Sequence, residues 1–290
     1  MTGGNHKERA HSKFSASGSE RWLNCAASVE LEERAPKDKN YDSFWSLEGT
    51  MAHEVLEQFL ISSRWSDVYS KFEFDLRVDE AMLEHCQKVA VRVKQVAKVF
   101  KAPILVEKKV FNTFIHEEMF GTCDVIIPVY DSVLHIMDFK YGSGHIVDPE
   151  KNTQLIQYAL GVAESYDWKF KTVSLHILQP RSGNNWHKQW SLPMSELKEK
   201  WLPLWQKGVA RIEKGGNKPF AGHWCYWCKA KSFCPAKVEL SFEKTSNAFK
   251  ENPFQKGNEN GKKEESVKKE IRKEEREEIR DFKQKQRGFY

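Results

Sequence analysis

The sequence has no run approaching the roughly 18–20 uninterrupted apolar residues of a membrane helix, so no span is expected. Its first residues, Met1-Thr-Gly-Gly-Asn-His-Lys-Glu-Arg-Ala10, lack the apolar stretch of a signal peptide, and the expected compartment is the cytoplasm. It has no Gly-x-x-x-x-Gly-Lys-Ser/Thr loop, which excludes P-loop ATP hydrolysis by this chain alone. Net charge is also small. Against 46 Lys+Arg stand 41 Asp+Glu, and residues 241–290 supply +3 of the resulting +5, too little to argue a polyanionic partner from charge. No internal repeat is visible. Six cysteines in a reducing compartment are not read as disulfides, so their spacing matters more than their number.

What is present is a chain of 290 residues, 40% hydrophobic and 12% aromatic, which excludes wholesale disorder and allows one large domain or two ordinary ones. Residues 1–12 read as a flexible leader, 13–240 as the folded domain, and 241–290 as a charged helical or disordered tail. A first helix is expected from Ser17 or Ser19, carrying Arg21, Trp22, Cys25 and Val29, and residues 35–46 read as a loop. Met51, Val55, Leu56, Phe59 and Leu60 then mark the apolar face of a helix, and a second helix covers about Asp79 to Phe100. Strand signals fall at 104–107, 109–111, 123–128, 133–140 and 173–178, with a helix from Asp148-Pro149 to about Tyr166 between the last two. Leu192 to Ile212 reads as a helix kinked at Pro203. The order predicts an α/β domain with one mixed central sheet flanked by helices.

The sharpest local feature is Asp138-Phe139-Lys140 at a strand end. Period-2 alternation puts Asp138 and Lys140 on one face behind the apolar Leu134 and Ile136. A lone Asp-x-Lys would be a salt bridge, but Asp124 lies one hairpin earlier and can be brought beside Asp138. Two adjacent carboxylates repel unless a divalent cation sits between them, and oxygen ligands favour Mg²⁺ or Mn²⁺. Lys140 would orient or deprotonate a water and neutralise charge on phosphorus, which is phosphodiester hydrolysis. His53 and Glu57 share one helix face, and either could complete the shell. His53-Glu54-x-x-Glu57 lacks the second His of a zinc-protease helix, which sets that reading aside. Gln154 and Tyr158, at (i, i+4) spacing in the next helix, point the same way.

The cysteines form the second signal. Cys225-x2-Cys228-x5-Cys234 can supply three thiolates to one metal centre, with Cys25 or His223 as the fourth ligand. Zinc and a four-iron, four-sulfur (4Fe–4S) cluster both accept such a set, and Cys234-Pro235 leans towards iron–sulfur. Cys86 and Cys123 read as ordinary buried thiols.

Over about residues 12–237 these motifs, in this order, resemble the PD-(D/E)XK nuclease superfamily in its RecB-like branch. The matching residues are His53 in Gly-Thr-x-x-His, Asp124 in Gly-Thr-Cys-Asp, Asp138-Phe-Lys140 and Gln154-x3-Tyr158. The cysteine arrangement is similar to the iron–sulfur staple of AddB-type nucleases. The opening Ser-Ala-Ser-Gly-Ser-Glu-Arg-Trp-Leu-Asn-Cys25 and Gln179-Pro-Arg181 resemble a compact nuclease family of phages and prophages. The resemblance implies a restriction-endonuclease-like fold with its N- and C-terminal segments stapled by a 4Fe–4S cluster on Cys25, Cys225, Cys228 and Cys234. It implies that His53, Asp124, Asp138 and the Phe139 carbonyl bind Mg²⁺ or Mn²⁺, with Asp124, Asp138, Lys140, Gln154 and Tyr158 as catalytic or positioning residues. The implied activity is a DNA exonuclease on single-stranded ends in phage or bacterial recombination, inside a bacterial host cell. Recombination or replication proteins could meet the tail. A non-catalytic DNA-binding protein that keeps the fold is the rival reading, and it predicts DNA binding without strand loss.

Overall fold

The computed structural model of the chain describes residues 12–36 and 44–250, with the side chains of Phe44 and residues 243–250 left out. The expected leader lies outside the described residues except for Ser12, as does the expected tail beyond Lys250.

Two short helices open the first unit, α1 (Ser19–Asn24) and α2 (Ala27–Glu33). They replace the single helix expected there. The break falls at Cys25, whose backbone leaves the helical region (φ −129°, ψ 88°), and its Sγ accepts a hydrogen bond from Phe220 N at 3.4 Å. Helix α3 (Phe44–Ile61) starts inside the segment expected as a loop and buries Met51, Ala52, Val55, Leu56, Phe59 and Leu60. A short helix, α4 (Trp65–Phe72), was not legible as a separate element. Helix α5 (Glu80–Phe100) begins where Asp79 accepts the Met82 amide, an N-cap of the usual kind. Its Met82, Cys86, Val89, Ala90, Val93 and Ala97 recur at helical spacing and are buried with the apolar stripe of α3.

The sheet has five strands: β1 (Leu105–Phe111), β2 (Phe120–Pro128), β3 (Val133–Phe139), β4 (Thr172–Leu178) and β5 (His187–Pro193). They lie in sequence order, and only β3 and β4 run parallel. A parallel pair needs a crossover, which is α6 (Thr153–Ser165). It starts later than Asp148-Pro149 suggested. The Asp148 carboxylate accepts Glu150 N in a local turn, Lys151 is left-handed (φ 55°), and Asn152 caps the helix through Leu155 N. Gly161 lets α6 approach the sheet, since a Cβ there would stand 2.6 Å from the Phe111 carbonyl.

The helix expected from Leu192 is corrected too. Residues up to Pro193 are the edge strand β5, whose polar Lys188, Gln189 and Ser191 mask its period-2 signal. The helical run then passes through α7 (Met194–Glu196), a π-turn (Leu197–Trp201) and α8 (Leu202–Glu213). The π-turn stands just before Pro203, which has no N–H to continue an α-helical ladder.

Ile126, Leu134, Ile136, Val173, Leu175 and Ile177 pack with α6, the π-turn and α8 on one side of the sheet. Val125, Ile127, Met137 and Phe139 pack with α3, α4 and α5 on the other. Each fully buried side chain of this kind contributes about 1.5–3 kcal/mol of burial. The result is the expected mixed α/β sheet flanked by helices. This compact unit ends at Cys234, and a second begins at Pro235, whose described part is the helix α9 (Pro235–Lys250). Among the described residues no helix is long and apolar enough to cross a membrane.

Candidate metal centre

The β1–β2 ladder pairs Val106 with Val125 and Lys108 with Cys123, and skips the position between, where Glu107 faces Asp124. The β2–β3 ladder ends at Val125 paired with Met137, so Asp124 is also opposite Asp138. Three carboxylates thus stand in a row across three strands, about 4.8 Å apart from strand to strand. Like charges directly opposite each other are destabilising. Glu107 adds strain, because it holds a left-handed backbone (φ 47°) that an ordinary strand residue does not adopt.

The ladder stops here because side chains take over the backbone's partners. Asp124 Oδ2 accepts the Phe139 amide at 2.7 Å, in place of a β2 carbonyl. His53, from α3, places Nδ1 3.4 Å from Asp124 Oδ1 and 3.5 Å from Glu107 Oε1, and its ring meets Phe139 edge-on. On the α6 side, Lys140 Nζ lies 3.1 and 2.9 Å from the two Asp138 oxygens and donates to Gln154 Oε1 at 3.1 Å. Gln154 Nε2 returns a hydrogen bond to Asp138 Oδ1 at 2.8 Å. Tyr158, one turn on from Gln154, is buried against Gly121, where a Cβ would come within 3.0 Å of its ring.

The electrostatics follow from crowding acids in a half-closed space. Burial opposes charge on His53, yet Asp124 and Glu107 outweigh it and lift its pKa from 6.5 to about 10. Burial also pushes Asp124 up, but His53 and Lys140 prevail and hold it below the ordinary value. Asp138 is raised by burial and by Asp124, against the pull of Lys140. Lys140 is pushed down by burial, but Asp138 and Asp124 keep it raised and charged. Burial keeps the Tyr158 phenol protonated.

These residues suit a divalent cation. His53, Glu107 and Asp124 each offer a ligand atom within 4.8 Å of the others. Once His53 gives up its proton to become a ligand, three carboxylates against the Lys140 ammonium leave two negative charges, matching a divalent ion. Asp138 Oδ2 is buried and accepts no hydrogen bond of good geometry, although Lys140 Nζ is near. Hard oxygen donors with one imidazole match Mg²⁺ or Mn²⁺ better than a thiophilic ion.

The fold therefore gathers His53, Asp124, Asp138, Lys140, Gln154 and Tyr158, and the backbone of Phe139, in one place. Glu107 joins them, and the sequence reading missed it. In a strand that also carries Lys108 and Lys109, Glu107 reads as one more charged residue, and period-2 alternation alone does not mark it as functional. At the rim, Gln179 donates to the carbonyls of Gly142 and His145, both at 2.7 Å, and accepts Val147 N at 3.2 Å. It fixes the loop that follows Lys140. Arg181 holds Glu48 with two 3.0 Å contacts and covers the Tyr141 ring.

Cys25, Cys225, Cys228 and Cys234 are all buried and unoxidised. Burial raises the Cys25 thiol pKa, with Cys225 and Cys234 near enough to add to it; burial lifts Cys228 to about 11. His223, the other candidate fourth ligand, instead contacts Glu20 at 2.8 Å. Cys86 and Cys123 lie in the core, Cys86 donating to the Ala52 carbonyl.

A family model described as "Protein of unknown function (DUF2800)" matches residues 11–282. A crystal structure named "Putative exonuclease", from Eubacterium rectale, is 10% identical with a TM-score of 0.44, over 73% of this chain and 86% of that one. The structure of SSO0001 is 16% identical with a TM-score of 0.31, over 76% of this chain and 96% of that one. At these scores neither likeness decides fold or activity.

Proposed function

The chain belongs to the DUF2800 family, and from the carboxylate row that its sheet assembles we propose that it is a divalent-metal-dependent nuclease hydrolysing DNA phosphodiester bonds. The observation that carries this reading is the skipped ladder position, where Glu107, Asp124 and Asp138 meet beside Lys140. A binding-only protein gains nothing from holding three acids opposite one another.

His53, Glu107, Asp124, Asp138 and the Phe139 carbonyl would hold Mg²⁺ or Mn²⁺, which supplies Lewis acidity to a phosphate oxygen and lowers the pKa of water. The chain's own residues do the rest. Lys140, whose charge Asp138 and Asp124 favour, would orient the attacking water and offset negative charge developing on phosphorus oxygens. Gln154 bridges Lys140 and Asp138 and fixes both at once. Tyr158 lies one turn further along the same helix, buried beside this pair. We read the substrate as single-stranded DNA ends, handled in phage or bacterial recombination in the cytoplasm, on the strength of the motif resemblance.

The same reading includes a 4Fe–4S cluster on Cys25, Cys225, Cys228 and Cys234. Tetrahedral zinc, with Zn–S of about 2.3 Å, holds sulfurs about 3.8 Å apart. A four-iron cluster binds each thiolate through a different iron, and the Cys234-Pro235 step is what leans the reading towards iron–sulfur.

The test uses end-labelled single- and double-stranded DNA with Mg²⁺ and with Mn²⁺. The parent should shorten the single strand, and Asp138→Asn and Lys140→Ala should each lose roughly 10²-fold or more of the rate. Equal degradation by parent and variants would refute the site.

A further inference from the structure

The segment from Lys214 to Cys234 contains Lys214, Lys218, Lys229 and Lys231 and no Asp or Glu. All four lysines are exposed. Between the paired cysteines, Tyr226 and Trp227 are 69% and 72% exposed, and Phe220 and Phe233 flank them at 54% and 40%. Large aromatics left in water on consecutive residues are uncommon without a partner.

The loop is not loosely hung. Trp224 is its buried anchor: its Nε1 donates to the Phe220 carbonyl at 3.1 Å, and Gly222 is required because a Cβ there would stand 2.4 Å from the indole. Glu32 accepts the Lys229 amide at 2.8 Å and also holds Arg21, while Glu20 holds His223. The two acids that approach the loop are therefore already engaged. With Trp224 turned inwards, Tyr226 and Trp227 project outwards, their ring centres 4.7 Å apart and nearly perpendicular. Lys231 Nζ binds the Tyr226 carbonyl at 3.0 Å and lies 5.7 Å from its ring centre.

A short chain of contacts links the start of the loop to the first turn of α6, which carries Gln154. Ser19 Oγ, which donates to the Ala16 carbonyl, accepts from the Thr153 hydroxyl at 2.7 Å, and Thr153 is the first residue of α6, next to Gln154. Glu20, the neighbour of Ser19, reaches His223 at the start of the loop.

We propose that Tyr226 and Trp227, with Lys229 and Lys231, form a stacking surface for single-stranded nucleic acid. A polyanion whose bases offer flat faces is what paired exposed aromatics and acid-free lysines fit, and such stacking is indifferent to sequence. Base pairing hides those faces in a duplex, so the surface selects single strands. The role as a lead-in to the cleavage site rests on the nuclease reading; the binding itself does not.

The experiment is anisotropy with fluorescein-labelled oligo(dT) on the full-length protein in EDTA, which separates binding from cleavage. Combined Tyr226→Ala and Trp227→Ala should weaken oligo(dT) binding roughly 10- to 100-fold, with Tyr226→Phe and Trp227→Phe together staying within about threefold of the parent. Combined Lys229→Ala and Lys231→Ala should reduce the slope of log K against log salt by about 1.4. Alanine variants that melt like the parent and bind oligo(dT) equally well would overturn the proposal. So would a parent that fails to bind oligo(dT) at low salt, which would turn the surface over to a protein partner. Loss of binding in the variants of a parent that cleaves nothing would uphold the surface and refute the nuclease reading. Cleavage by the parent with unchanged binding in the variants would do the reverse.

Discussion

Glu107 and Asp124 face each other across β1 and β2 at the position their ladder skips, with His53 Nδ1 within 3.5 Å of a carboxylate oxygen of each. The arrangement is repulsive by itself and becomes favourable when positive charge enters it.

Glu107→Gln removes one of the three acids while keeping the side chain's shape. Mn²⁺ affinity, measured by calorimetry, should fall roughly 10- to 100-fold, as for loss of a metal-site carboxylate partner. The far-UV circular dichroism should not change. Unaltered affinity would remove Glu107 from the site.

Gln154→Leu leaves the carboxylates in place but unties Lys140 from its neutral partner. DNA cleavage should fall about 10- to 100-fold, as for loss of one positioning hydrogen bond to a charged group. Mn²⁺ affinity should shift little by comparison. An equal loss of both would mean that Gln154 acts on the metal rather than on Lys140.

A buried row of imidazoles on β3, β4 and β5 gives a pH dependence of stability. Arg92 Nε donates to His187 Nδ1, so His187 uses Nε2 to donate to His176 Nδ1, and His176 uses Nε2 towards His135 Nδ1. The row is thereby neutral throughout. Burial lowers the pKa of His135 to about 4, and burial with Arg92 does the same for His187; His176 lies well below 6.5. The unfolded chain takes up these protons near pH 6.5 and the folded one does not, so stability is complete above that pH and is lost as pH falls towards 4. His135 and His176 are almost fully buried, and each should cost about 1.4 kcal/mol per pH unit through this window. Thermal melting from pH 7.5 to 5 should show a steady fall, shallower in His176→Gln. A flat profile would contradict the neutral row.

Cys25→Ser tests the staple. Cys25 and Cys225 are 200 residues apart in sequence, so a shared cluster closes a very long loop. Anaerobically purified parent should be brown and bleach with oxidants, while the variant should lose colour and melt about 5–10 °C lower. A colourless parent with one equivalent of zinc would refute the cluster.

Much of the fold could be read directly. The apolar stripe of α3, the α5 helix with its Asp79 cap, and the β-branched cores of β2, β3 and β4 are local patterns, because a helix or strand that buries one face must repeat its apolar residues at that element's own period. The pairing of Asp124 with Asp138 followed from hairpin register, and Gln154 with Tyr158 from helical pitch. The places that failed were those where side chains compete with the backbone. Asp148 turned to Glu150 instead of capping α6, and β5 hid its alternation because an edge strand keeps polar residues in water.

The sequence alone singled out the candidate site residues: His53, Asp124, Asp138, Lys140 and the four spaced cysteines. Only the tertiary structure decided that Glu107 joins them, that Lys140 is held as a cation, and that Tyr226 and Trp227 stay outside while Trp224 goes in. The physical reason is that each of these depends on distance through space. Glu107 meets Asp124 only because β1 pairs with β2, and the charge of Lys140 is set by carboxylates on two strands. Which of three neighbouring aromatics is buried depends on where Gly222 lets the chain approach.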